Sequence, residues 1–387
     1  MSASASPRPE FSTPAAWARD APSRRVSRLP LLAAGGVSLL LGMWVGLRRA
    51  GWALPLAPGL ELTDHAALLV SGFLGTLIGL ERAVALRIAW TFLAPALSGL
   101  GGLSLLSGGS RTLPAALFTA ASVALTLASL RVVRLQPAPF TVTMAAGAAA
   151  WFLGALAWGA GLPAASWTTA WAAFLVLTIV GERLELSRLL QLPSLAWATF
   201  RACAVLHGAA VVVALLSPWL GFRLSGLAFL GWALWLGRYD VARRTVRTPG
   251  LPRFAAVGLL AGYAWLSLAG VLWITTPGLP TGLRYDAEMH TLFLGFVFSM
   301  VFAHAPILWP SVLGGEIRFA SRFYAHLGLL HLSVLLRVSA DLAGWEAGRR
   351  WAVVLNTLAV LLFLANTVGM ARSHRQRPSA SLRTTSA

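Results

Sequence analysis

Long apolar runs follow one another along nearly the whole chain, separated by short polar stretches. Within each run the apolar residues are continuous and do not alternate with polar ones, which argues against the strands of a membrane barrel. An isolated span must satisfy its own backbone groups, and a helix does so. A bilayer core of ~30 Å needs about 20 helical residues, and twelve runs approach that length, at 30 to 48, 64 to 86, 89 to 108, 112 to 133, 140 to 160, 167 to 187, 199 to 217, 222 to 240, 253 to 275, 287 to 308, 321 to 340 and 349 to 370. The pattern therefore predicts an all-α, polytopic integral membrane protein with about 12 transmembrane helices, a membrane domain over 29–371 and the lipid bilayer as its main partner. Residues 1–28 and 372–387, rich in Ser, Pro and Arg, read as disordered cytoplasmic tails. The first polar stretch is too long, and the span after it too long, for a signal peptide.

Composition agrees: 57% of the 387 residues are hydrophobic and 11% are charged, far from the balance of a soluble domain. The net charge of +18 is carried by arginine alone, because the chain has no lysine. With the N-terminus cytoplasmic, 23 arginines fall inside and 8 outside, so the positive-inside rule puts both termini in the cytoplasm, as in a bacterial-type inner (cytoplasmic) membrane. The inside surplus then lies beside anionic headgroups, and nucleic acid is not needed to explain it. Tryptophans near span ends, such as Trp52, Trp167, Trp219 and Trp345, fit an interfacial belt. Cys203 is the only cysteine, which excludes an internal disulfide, cysteine-linked haem and a thiolate cluster. No phosphate-cradling glycine loop is present, which argues against an ATP-driven pump.

Six of the seven histidines fall within spans, where ionisable groups are costly and point to function. His65 opens span two and His290 opens span ten, both near the outer face, and two imidazoles at one depth can hold a haem between them. His207, His304, His326 and His331 lie deeper, towards the inner side. His290 and His304 are 14 residues apart, close to four α-helical turns, so an α-helical count puts them on one face. His304 and His326 lie at similar depth on consecutive helices and are placed to meet. Asp64 and Asp286 precede the two outer histidines, where each can cap its helix or accept the second N–H of an imidazole; capping is the simpler reading. Arg337 and Asp341 are four apart and are expected to pair.

The inner ends of spans two and six carry a polar set: Glu81 and Arg82, then Glu182, Arg183, Glu185 and Arg188. One reading is an ion-pair network that pins helix ends. The other is a second metal or proton site joining a carboxylate to His304, His326, His331 and His207, a donor set that suits copper, zinc or iron.

Twelve helices with an outer-side histidine on the second and another on the tenth resemble subunit I of the haem-copper oxidases. That resemblance makes His65 and His290 axial ligands of a low-spin haem. It makes Arg349 and Arg350, in the connection before the last span, partners of the haem propionates, for which planar guanidinium groups are suited. Departures are clear: Glu288 stands where those oxidases carry a further histidine, span six has none, and span seven has only His207. A closer resemblance is to the NnrS-like proteins, twelve-helix membrane proteins associated with nitric oxide metabolism. It is carried by His65 to Glu81 (HAALLVSGFLGTLIGLE), His290 to Pro310 (HTLFLGFVFSMVFAHAPILWP) and Tyr324 to Arg337 (YAHLGLLHLSVLLR). The resemblance implies a non-covalent, b-type haem, with copper as a further candidate, and a redox or nitric-oxide-stress role served by a small gaseous ligand or an electron donor. The alternative without a cofactor is a secondary transporter or channel in which Glu81, Glu182 and His304 couple protons. A weaker third is an assembly subunit for another oxidase component.

Overall fold

The computed structural model of the protein describes residues 28–187, 190–313 and 319–375. Most of both predicted tails lies outside the described residues, and so does Arg188.

Among the described residues twelve helices are long and apolar enough to cross a membrane, the architecture of a multi-pass membrane protein. They are α1 Leu29–Arg49, α2 Ala67–Leu86, α3 Ala89–Ser107, α4 Thr112–Leu135, α5 Pro139–Gly159, α6 Ala164–Leu186, α7 Ser194–Leu216, α8 Pro218–Tyr239, α9 Leu251–Ile274, α10 Gly282–Ile307, α11 Phe323–Ala343 and α12 Glu346–Thr367. The last continues as helix to Arg375. Proline in the first turn of α1, α5, α8 and α9 starts a helix without wasting a donor, and Gly344 ends α11 in the left-handed conformation. All twelve predicted runs are present. The largest differences at a helix start are in α7, which begins at Ser194, and α10, which begins at Gly282, each five residues before the predicted run. Arg284, Asp286 and Glu288 make the start of α10 too polar to be read as a span, yet its carboxylates are buried against arginines and so remain helical.

Helices adjacent in sequence mostly pack as neighbours, with α5 on α6 and α8 on α9 the most extensive pairs. α6 is the most enclosed helix, and α1 and α7 are the least. One apolar core runs through the α2 to α10 side, and a second, smaller one joins α1, α9, α10, α11 and α12.

Two of the helices contain a π-helical stretch among the described residues. Ala67–Gly75 of α2 and Thr291–Phe298 of α10 are π-helical, and each stretch follows closely on a histidine, His65 or His290. Such segments are rare and often mark functional sites. In the second, a Cβ on Gly295 would come within 2.7 Å of Trp265, so only glycine allows α9 and α10 to approach there.

Candidate functional site

His65 and His290 face each other across one end of the bundle, with ring centroids 6.3 Å apart and ring planes inclined by 38°. Each ring is held by its Nδ1, which lies 2.8 Å from the Gly42 carbonyl in His65 and 2.7 Å from the Asp286 carbonyl in His290. A carbonyl only accepts, so both rings carry their proton on Nδ1 and leave the Nε2 lone pair free. Glycine at position 46 is what lets the His65 ring lie against α1: a Cβ there would stand 2.9 Å from Cε1 of the imidazole.

Both rings line a cavity of about 290 Å³ between α1, α2, α6, α10, α11 and α12, at the lower end of the ~300–1,000 Å³ range of small-molecule sites. Its wall is largely apolar, with Leu69, Val70, Leu74, Phe293, Phe298 and Val360 among the lining side chains. Arg49, Asp286, Arg337 and Asn356 supply a polar end.

Asp286 is the hub of that end. Its carboxylate accepts from Arg337 at 3.1 Å and Arg349 at 3.0 Å, and Arg49 stands 3.6 Å away. The expected Arg337–Asp341 pair is present at 2.8 Å, and Arg349 reaches the other Asp341 oxygen at 3.2 Å. Three guanidinium groups thus meet two carboxylates, which leaves one positive charge in excess. The capping expectation holds for Asp64, whose carboxylate takes the Glu61 N–H at 2.8 Å. For Asp286 it is overturned: the residue lies inside α10, its carboxylate gathers arginines, and its main-chain carbonyl, not its carboxylate, receives the imidazole N–H. The arginines on the cavity wall are Arg49 and Arg337, where sequence singled out Arg349 and Arg350. Arg349 sits one carboxylate behind the wall, while Arg350 lies over the ring of Trp52 at 4.8 Å, a cation–π contact. Sequence spacing had no means of finding Gly42, Gly46 or Arg49, because each acts on a helix other than its own.

The inner polar set separates into independent environments. Arg183 is clamped in two-pronged fashion by Asp240, both contacts at 2.8 Å, and its third nitrogen meets His304 Nε2 at 3.2 Å. His304 Nδ1 is 2.9 Å from the Met300 carbonyl, so both of its nitrogens are occupied. His207 and His331 accept indole N–H groups at Nδ1, from Trp232 at 3.2 Å and Trp265 at 3.0 Å; their protons therefore sit on Nε2 and leave no lone pair for a metal. His326 is ringed by Phe254, Phe302, Phe323 and Phe363, with Asn366 at 3.1 Å from its Nδ1. The expected meeting of His304 and His326 is not found in these partnerships. The α-helical count that set His290 and His304 on one face also fails, because eight of the intervening residues are π-helical and a π turn closes on i+5 instead of i+4. Glu81, Glu182 and Glu185 do lie within electrostatic reach of one another or of Arg82, and Arg82 donates to the Met144 sulfur at 3.0 Å. Among the described residues no group of three or more His, Cys, Asp or Glu side chains is arranged to hold a metal ion. Copper bound by the inner histidines does not fit this arrangement.

The Arg183–Asp240 pair is almost wholly buried, and removing one partner of such a pair typically costs about 3–5 kcal/mol. Asp240→Ala is expected to lower the thermal midpoint in detergent markedly, and Arg183→Met combined with it to recover part of the loss. If Asp240→Ala melts with the parent, the pair does not stabilise the fold.

The chain belongs to the family described as a domain of unknown function, DUF8744, whose profile matches residues 28–372. No curated protein and no solved structure matches it.

Proposed function

We propose that the protein is a membrane haem protein in which His65 and His290 are the two axial ligands. The geometry of that pair carries the reading. An iron bonded to one nitrogen of each ring at about 2 Å, with each nitrogen roughly 1.1 Å from its own ring centre, requires centroids about 6 Å apart, and the observed separation is 6.3 Å. Main-chain acceptors hold both Nδ1 protons, the usual outer-shell arrangement of metal-binding imidazoles. The excess guanidinium charge at the polar end suits the carboxylates of a haem edge.

With both axial positions taken, the group would supply one-electron chemistry and no open position for a gas. The protein's own part is to orient the imidazoles, exclude water with the apolar wall and set the local charge. In keeping with its resemblance to the NnrS-like proteins, its role is then electron transfer in redox or nitric-oxide-stress metabolism at a cytoplasmic membrane, with an electron donor as partner. The charge bias supports both termini inside: a reporter active only outside the membrane is expected to stay silent when fused after Arg375 and to report when fused between α11 and α12. The opposite pattern would invert the orientation.

The test of the haem reading is a reduced-minus-oxidised visible spectrum of the detergent-purified protein with a parallel haem assay. Sharp low-spin bands near one haem per chain are expected. A colourless protein from haem-replete cells overturns the reading and moves weight to the transporter alternative.

A further inference from the structure

Asn356 lies nearly three turns into α12, is 6% exposed, and has no hydrogen-bond partner for either its amide oxygen or its amide nitrogen. Leaving such a buried group unpaired is costly, and the apolar part of a span offers it no replacement for water. Its neighbour Thr357 donates its hydroxyl to the Val353 carbonyl and gives Asn356 nothing. Arg337 shows the same shortfall: Nε serves Asp341, Nη2 serves Asp286, and Nη1 is unpaired and buried. Both residues border the cavity shared by His65 and His290. An orphaned guanidinium N–H, an orphaned amide N–H and one surplus positive charge together ask for an acceptor that is negatively charged.

We propose that Asn356 and Nη1 of Arg337 form a carboxylate subsite that selects an occupant bearing a free acid on its edge. The proposal rests on the haem reading, in which that acid is a haem carboxylate, and adds that Asn356 decides between acid and ester. A main-chain or packing role for Asn356 would not discriminate between those two forms.

The experiment is a titration of the full-length, haem-depleted protein in detergent with iron protoporphyrin IX and, separately, with its dimethyl ester, followed by the low-spin absorption bands. The parent is expected to favour the free acid by about tenfold or more, as a charge-assisted contact would. In Asn356→Leu that ratio should fall towards one with little change in the affinity for the ester. Asn356→Asp, which sets a like charge against the acid, should reverse it. An unchanged ratio in both variants overturns the subsite. If the parent binds acid and ester equally, the subsite falls and the haem reading stands; if the parent binds neither, the haem reading falls with it.

Discussion

His290→Ala and His65→Ala should each lose low-spin haem, with affinity reduced about 100-fold or more. Outer-shell changes alone typically cost 10–100-fold in metal affinity, and these substitutions remove the donor atom itself. Both imidazoles are oriented before any ligand arrives, by carbonyls that belong to α1 and to the preceding turn of α10. Truncation therefore leaves a shaped gap with the opposite ligand still in place, and imidazole added to His65→Gly or His290→Gly protein should restore the bands. That rescue separates lost ligation from lost folding. His207→Ala is the control: it too sits within a span, but its partner is Trp232 and it does not line the cavity. Full haem content in both alanine variants would sink the assignment.

Asp286→Asn should keep the haem and raise its reduction potential. The substitution preserves the main-chain carbonyl that holds His290, so ligation survives, but it removes a negative charge from among Arg49, Arg337 and Arg349. A nearby carboxylate favours the more positive, oxidised iron. Its loss favours reduction by an amount on the order of 50 mV for a charge about 10 Å away at an effective dielectric of about 20. The uncompensated arginines should also lower thermal stability, since breaking a buried pair costs roughly 3–5 kcal/mol. Potentiometric titration of parent and variant decides the matter. A potential that stays level or drops would show that this cluster does not act on the iron.

Hydropathy alone located every long helix, because the need to bury twenty apolar residues is local and leaves a local mark. It located His65 and His290 for the same reason, as polar residues at the mouths of apolar runs. What it missed is what two helices make together. His65 is held by Gly42, 23 positions earlier, and Arg183 by Asp240, 57 positions later; no spacing rule states which helices are neighbours. The four deeper histidines looked like one donor set because depth could be counted and azimuth could not. Each in fact has its own partner, so depth grouped residues that packing separates. Asp286 does not act as a cap because its arginines come from α1, α11 and α12, which no reading along α10 can supply.

The π-helical stretches separate the two halves of α2 and α10 as a vernier separates two scales. A π turn closes on i+5 instead of i+4, so each residue of Thr291–Phe298 turns the chain by less than the 100° of an α-helix, and this stretch sets the angle between His290, which faces His65, and His304, which Arg183 holds. Angular settings at the outer and inner ends of one rod are thus adjustable independently, by a change of pitch inside the helix and without a loop that would expose backbone to lipid.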